Sequence, residues 1–155
     1  MTLEQLINVD ITDKNLLIIG SATVGKTHIA SLIYKLNPNH LLISTDKFIF
    51  LGNDMATCEI LKFIEKNKNR KVIVEGVKGY ELLRLGNRED TFRPDIVIEL
   101  SNSIESMTRI NKQRKGGEIK WIERMSRGHQ TILSQYFAGT TENQRPQWIK
   151  YFNNN

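Results

Sequence analysis

The sequence has a single cysteine, no Cys/His cluster with the spacing of a zinc site, and no apolar run long enough to cross a bilayer. With Cys58 alone, no intrachain disulfide can form, and a reducing compartment is expected. The first ten residues, MTLEQLINVD, lack the basic and apolar regions of a signal peptide. These absences predict a cytoplasmic protein with no membrane partner.

The length and the charge of the chain limit the classes of protein to which it can belong. A chain of 155 residues suits one domain with a well-buried core, so residues 1–155 are predicted to form a single unit. The formal net charge is +5, which is compatible with nucleic-acid binding and also with an enzyme that handles phosphates. The positions of the basic residues must separate these two classes of protein.

The most informative stretch is GSATVGKT at 20–27, which fits the phosphate-binding pattern G-x-x-x-x-G-K-[ST]. Gly20 and Gly25 allow backbone angles that a Cβ would forbid, so several N–H groups can point inward at an anion. Lys26 can reach the β- and γ-phosphates of a nucleotide, and the hydroxyl of Thr27 can ligate Mg²⁺. The other members of the predicted nucleotide site are Ser21, Ala22, Thr23, Val24 and His28.

The context of this stretch supports a nucleotide site over an ordinary glycine turn. The apolar run LLII precedes it and is typical of a buried strand. The segment KTHIASLIYKL follows, and its apolar residues recur at helical spacing, so a helix is predicted over 26–36. The N–H groups and the dipole at the start of that helix would face the phosphates. The chain is therefore predicted to bind a nucleoside triphosphate.

Apolar runs bounded by turn residues alternate with helical segments along the chain. Strands are predicted at 15–19, 40–44, 71–76, 95–100 and 146–152. Helices are predicted at 26–36, 55–67 and 79–86 and in two segments after residue 102, the third ending at Gly86 and the last interrupted near Gly128. This pattern predicts an α/β three-layer sandwich with a mainly parallel five-stranded sheet, in which ligands lie beyond the carboxyl ends of the strands.

Two carboxylates stand at those strand ends. Asp46 follows the second strand and could accept a proton from an acceptor hydroxyl, although a turn or capping aspartate is the alternative. Glu75 closes the third strand and could hold Mg²⁺ through water or bind the acceptor. An ion pair between Glu75 and Lys26 is the structural alternative.

Clustered positive charge follows the fourth strand, on both sides of the sequence KGGE. We interpret residues 109–127 as a short lid, with Arg109 at the nucleotide and Arg114 as the catalytic arginine, since lid arginines can neutralise charge on a transferred phosphoryl group. A solvated cationic helix pair is the alternative. The basic residues of this segment are Arg109, Lys112, Arg114, Lys115, Arg124 and Arg127.

Taken in order, LLIIGSATVGKTHIA, HLLISTDKF, VIVEG and DIVIELSNSIESMTRINKQR resemble the small P-loop kinases of the nucleoside and nucleotide kinase class, within the P-loop NTPase superfamily. The resemblance covers about residues 14–137. It implies that Asp46 contacts or deprotonates the acceptor and that the segment around Arg109 to Arg114 is the lid. It also matches Glu75 to the strand-three carboxylate of uridine-kinase-like members. Val24 departs from the family, which usually has glycine at that position.

The expected function is an ATP- and Mg²⁺-dependent phosphotransferase whose partners are ATP and a small acceptor, such as a nucleoside or nucleotide. One alternative keeps the chemistry but phosphorylates a polynucleotide 5′-end; the basic excess makes nucleic acid possible without favouring it. Another is a nucleotide-binding switch or assembly protein. The absence of the base-reading motif N-K-x-D and the presence of the arginine cluster argue against a switch.

Overall fold

The computed structural model describes residues 1–20, 25–113 and 119–153, and the five strands within them form one parallel sheet. The spatial order of the strands is β2-β3-β1-β4-β5, and all four pairs of neighbours are parallel. The strands are β1 (Leu16–Gly20), β2 (Leu41–Ser44), β3 (Val72–Glu75), β4 (Ile96–Ser101) and β5 (Gln147–Phe152). All five strands predicted from the sequence are present.

Strand β1 lies at the centre of the sheet, between β3 and β4, and every one of its residues is buried. Buried apolar strands of this kind form when helices cover both faces of a parallel sheet. Ile18 lies opposite Glu75 on one side and opposite Ile98 on the other. This register brings the carboxyl ends of β3, β1 and β4 to one edge of the sheet.

Helices cover both faces of the sheet. Their bounds are α1 (Leu3–Ile7), α2 (Lys26–Leu36), α3 (Asn53–Lys66), α4 (Gly79–Glu89), α5 (Ile104–Gln113) and α6 (Ile119–Ala138). Buried residues of α1, α2 and α5 belong to one apolar cluster, and those of α3, α4 and α6 belong to another on the opposite face. The predicted three-layer sandwich is confirmed. Within the described residues, no helix is long and apolar enough to cross a membrane.

Two expectations about the helices were wrong. Helix α4 does not end at Gly86 but continues to Glu89, where Asp90 adopts a left-handed conformation with φ of 54°. A Cβ on Gly86 would lie 2.6 Å from the carbonyl oxygen of Phe92. This glycine therefore allows the backbone of Phe92 to pack closely against α4. Helix α6 runs without interruption through Gly128, because hydrogen bonding and packing outweigh the modest helix propensity of one glycine.

Candidate active site

The end of β1 leads directly to the start of α2, as the sequence predicts. Gly20 is the last residue of β1, and Gly25 precedes α2 with a left-handed φ of 91°. A Cβ on Gly25 would lie 3.1 Å from Nδ2 of Asn153, so both the backbone angle and the close approach favour glycine. The four residues between these glycines, Ser21, Ala22, Thr23 and Val24, lie outside the described part of the chain.

Lys26 is the first residue of α2 and is only 7% exposed. Lysine is rarely buried to this degree, since desolvation of the ammonium group is costly. The N-terminal turn of a helix also presents N–H groups that lack partners within the helix. A buried cation and these donors at one point make a site suited to an anion. His28, in the same turn, is exposed.

Thr27 and Glu75, both predicted to serve a metal, are brought together by the fold. The hydroxyl of Thr27 donates to the carboxylate of Glu75, with Oγ1 lying 3.3 Å from Oε1 and 3.3 Å from Oε2. Glu75 is the last residue of β3 and is 2% exposed. A hydroxyl and a carboxylate supply the oxygen ligands that Mg²⁺ prefers.

A metal held by Thr27 and Glu75 would have few protein ligands. No group of three or more His, Cys, Asp or Glu side chains suited to holding a metal occurs among the described residues. Mg²⁺ needs few protein ligands, because it is commonly bound through one or two carboxylates, water and the phosphates of a substrate. The donor set therefore fits Mg²⁺ better than it fits zinc, which takes three or four protein ligands drawn from Cys, His, Asp and Glu.

Asp46 is exposed and lies in a 3₁₀ helix (Thr45–Leu51) that directly follows β2. Its neighbour Thr45 is fully buried and fixes this segment against the end of β3, where the Oγ1 of Thr45 accepts a hydrogen bond from the backbone N–H of Lys78 at 3.4 Å. Gly76 has a φ of 136°, and a Cβ there would lie 1.8 Å from the Oγ1 of Thr45. The close contact with Gly76 holds the start of the Asp46 segment beside Glu75.

The described arginines of the predicted lid lie on two helices. Arg109 is exposed on α5, and Arg124 and Arg127 are exposed on α6. Arg114, predicted to be catalytic, lies outside the described residues, as do Gly116 and Gly117. The lid thus stays a prediction, with α5 and α6 as the helices that would form its two sides.

Sequence reasoning missed a pair of stacked rings near Lys26. Tyr80 of α4 and His129 of α6 lie with ring centroids 4.0 Å apart and planes inclined by 9°. Burial, and then the nearby charges of Lys26 and Lys78, lower the pKa of His129 to about 4. His129, Leu133 and Tyr136 are all buried and recur at helical spacing, so a histidine in an otherwise apolar stripe was the available signal.

Tyr80 retains its proton under ordinary conditions. Burial, and then the charge of Glu99, raise the pKa of the Tyr80 hydroxyl. Glu99 lies on β4, and its Oε1 accepts a hydrogen bond from Nε1 of Trp148 at 3.0 Å. The pair therefore presents a neutral phenol and a neutral imidazole close to Lys26, at the N-terminal end of α2.

Comparison with known proteins places this arrangement in a known fold. A gluconokinase from Sinorhizobium meliloti 1021 superposes with a TM-score of 0.56 and 12% identity, over 90% of this chain and 82% of the other. The chain shares the α/β fold of this kinase. An uncharacterized protein from Eubacterium ventriosum ATCC 27560 superposes with a TM-score of 0.50 and 15% identity, over 90% of this chain and 89% of that one.

A shikimate kinase from Bacteroides thetaiotaomicron overlaps less closely, with a TM-score of 0.46 and 16% identity, over 88% of this chain and 84% of the other. No protein-family model matches the sequence, and no curated protein resembles it at a significant level. At such low identities the likeness to the gluconokinase shows the fold alone, and the chemistry must be argued from the side chains of this chain.

Proposed function

We propose that this protein is an ATP- and Mg²⁺-dependent phosphotransferase that acts on a small acceptor, such as a nucleoside or a nucleotide. The observation that carries the proposal is the contact between Thr27 and Glu75 beside the buried Lys26, at the carboxyl edge of a parallel sheet. The likeness in fold to a gluconokinase supports the same reaction class. The acceptor itself is not identified by that likeness.

Binding of the triphosphate is assigned to the loop at 20–27 and to the start of α2. The N–H groups at the start of α2 point along the helix axis at the site and favour negative charge there. Lys26 supplies a full positive charge from a buried position, where its attraction for a phosphate is less screened than it would be in water. We assign His28 and Arg109 to the outer part of the same nucleotide site.

Thr27 and Glu75 are the proposed metal residues, with Glu75 acting directly or through a water molecule. Bound Mg²⁺ would supply positive charge that offsets the charge of the β- and γ-phosphates. The carboxylate of Glu75 accepts from the hydroxyl of Thr27 and so holds the Thr27 oxygen at the metal position. Burial of Glu75 limits its motion and keeps both oxygens aimed at this point.

Asp46 is the proposed base for the acceptor. In the transfer step, an acceptor oxygen bonds to the γ-phosphorus, and the bond from that phosphorus to the β,γ-bridging oxygen breaks with its electron pair going to ADP. The proton of the acceptor hydroxyl passes to the carboxylate of Asp46. The contact of Thr45 with Gly76 supports this role, because it anchors the Asp46 segment at the end of β3.

Helices α5 and α6 are the proposed sides of a lid over residues 109–127. Charges on an exposed helix are screened over about 10 Å at moderate salt, so they act on a phosphate only when the segment closes. Hydrogen exchange in this segment is expected to slow when a nonhydrolysable ATP analogue and an acceptor bind together, and less with nucleotide alone. Unchanged exchange in both cases would contradict the lid.

A transfer screen tests the proposed function. The purified protein is incubated with Mg²⁺, γ-labelled ATP and, in separate reactions, nucleosides, nucleotides, small sugars and 5′-hydroxyl oligonucleotides. Label is expected to pass to a small acceptor and to require Mg²⁺. Asp46→Asn serves as the matched variant with strongly reduced transfer. Transfer to oligonucleotides alone would replace the small acceptor with a polynucleotide end, and ATP binding without transfer to any class would favour a switch.

A further inference from the structure

A cavity of about 180 Å³ lies beside the proposed phosphate site. One wall is the carboxyl end of β4 from Glu99 to Ser101, together with Asn102 that follows it. The opposite side carries Tyr80 of α4 and His129 of α6. Leu100 pairs with Gly20 in the sheet, so this wall adjoins the strand that leads into the phosphate-binding loop. The cavity is thus placed to receive part of a molecule whose reacting end lies at that loop.

His129 is the group in this wall that most needs an explanation. Its side chain is buried, with 9% of the residue exposed, and Nδ1 has no hydrogen-bond partner among the described residues. Leaving a buried polar atom unpaired costs about 1–3 kcal/mol, and native proteins rarely do so without a reason. The stacked ring of Tyr80 fixes the plane of the imidazole, so His129 cannot turn to find another partner easily.

The protonation state of His129 limits the ligand groups with which it can form hydrogen bonds. Burial and the charges of Lys26 and Lys78 keep the imidazole neutral, with a pKa of about 4. A neutral imidazole accepts a hydrogen bond at one ring nitrogen and donates from the other, as a ligand hydroxyl requires. A charged imidazolium could only donate and would favour a phosphate or a carboxylate.

The other groups around the cavity also favour a neutral ligand. None of the described residues that line it is a lysine or an arginine, whereas Glu99 contributes a carboxylate. Ser126 and Gln130 add neutral polar side chains. An anionic group in the cavity would meet the charge of Glu99, and the two lysines whose charges reach His129, Lys26 and Lys78, are not among the described residues of the wall.

A neighbouring groove shows the contrast. It has a volume of about 320 Å³, lies between α3 and α4, and is lined by Lys78, Arg84 and Arg88. Arg84 donates to Glu81 and to Gln135, so part of its binding capacity is used within the protein. The chain therefore has basic side chains elsewhere on α4 but none in the described wall of the Tyr80–His129 cavity.

We propose that the Tyr80–His129 cavity binds a neutral, hydroxyl-bearing part of the phosphoryl acceptor, and that His129 accepts a hydrogen bond from one of its hydroxyls. The inference rests on the proposed function and names the acceptor class: a neutral polyol or sugar, either alone or as the sugar of a nucleoside. The volume of about 180 Å³ leaves room for one small polyol or sugar unit.

Calorimetric titrations with Mg²⁺ and a nonhydrolysable ATP analogue test this. The neutral probes are D-ribose, D-glucose and uridine, and their anionic counterparts are ribose 5-phosphate, D-gluconate and uridine 5′-monophosphate. At least one neutral probe is expected to bind more tightly than its anionic counterpart. Uridine binding without ribose binding would assign the cavity to the sugar of a nucleoside, and ribose or glucose binding would assign it to a simple sugar.

Variants at His129 test whether the neutral probe binds in the cavity. His129→Phe keeps a ring against Tyr80 but removes the nitrogens, and it should weaken the neutral probe by about tenfold or more. His129→Gln keeps a hydrogen-bonding group and should lose less. Ser134→Ala, at an exposed position of the same helix, is the matched control and should bind like the wild type.

Three outcomes would overturn the proposal: tighter binding of the anionic probes, no binding of any neutral probe, or wild-type affinity in both His129 variants. Failure of the proposed function gives a different result, because the ATP analogue is titrated separately in the same series. A chain that binds the analogue but no neutral probe has lost only the cavity proposal. A chain that does not bind the analogue has lost the kinase assignment, whatever the sugars do.

Discussion

The hydroxyl of Thr27 lies 3.3 Å from both carboxylate oxygens of Glu75, although the two residues are 48 positions apart in the chain. Parallel pairing produces this contact, because β3 runs beside β1 and ends with Glu75 next to the loop that β1 enters. Thr27 lies in the first turn of α2 and therefore at the same carboxyl end of the strands. The proposed binding of Mg²⁺ depends on this contact.

Glu75→Gln should therefore weaken the response to Mg²⁺ while leaving the fold intact, since glutamine keeps the size of the side chain and one carbonyl oxygen. We expect the Mg²⁺ concentration for half-maximal transfer to rise by about 10- to 100-fold, the usual effect of losing a group that orients a metal ligand. Thr27→Ser, which keeps the hydroxyl, is the control with a small effect. Unchanged Mg²⁺ dependence in Glu75→Gln would remove Glu75 from the metal site.

Asp46→Asn separates the acceptor from the nucleotide. Transfer should fall by about 10²-fold or more, because asparagine cannot take up the proton of the acceptor hydroxyl. The affinity for the ATP analogue should stay within a factor of about two, since Asp46 is exposed and belongs to the segment after β2. An equal loss of nucleotide affinity and turnover would assign Asp46 to the metal or to the fold.

The contact between Thr45 and Gly76 predicts an unusually sensitive glycine. Gly76→Ala would place a Cβ 1.8 Å from the Oγ1 of Thr45, at a φ of 136° that L residues rarely adopt. We expect the free energy of unfolding to fall by at least about 2 kcal/mol, measured in urea. Gly128→Ala is the matched control: its Cβ would meet nothing within 4 Å, and it should stabilise α6 by about 0.5–1 kcal/mol.

The lowered pKa of His129 predicts a component of acid destabilisation. Above the ordinary histidine pKa of 6.5, both the folded and the unfolded states are neutral at this residue. As the pH falls toward about 4, the unfolded chain takes up a proton that the folded protein excludes, so stability is lost over this window. Between about pH 7 and pH 4.5, the wild type should lose about 2 kcal/mol more than His129→Phe in urea unfolding. Equal losses would contradict a buried, neutral His129.

Much of the fold could be predicted because its signals are local. The apolar run before Gly20 and the helical spacing after Lys26 lie within a few residues of each other, and together they define the loop between them. The same applies to Glu75, whose place at the end of a β-branched strand marks it as a strand-end carboxylate. The likeness in fold to a gluconokinase agrees with these local patterns.

The remaining features depend on contacts between distant segments. Gly86 resembles a helix terminator in sequence, but its role is to let α4 approach Phe92, which only the folded chain shows. The sequence around His129 does not reveal its environment, because that environment forms only when α6 packs on α4 and the imidazole stacks on Tyr80. Burial in that packing, and then the charges of Lys26 and Lys78 from other segments, lower its pKa and keep it neutral. Long-range packing, not residue type, sets these properties.

The central claim is that the buried Lys26 and the start of α2 hold the phosphates of ATP, and calorimetric titration of ATP with Mg²⁺ tests it most directly. The wild type should bind, and Lys26→Met, which keeps the buried stem but removes the charge, should bind about 10- to 100-fold more weakly. Its unfolding transition in urea should show that the variant remains folded. A wild type that does not bind ATP, or a folded Lys26→Met that binds it equally well, would contradict the account.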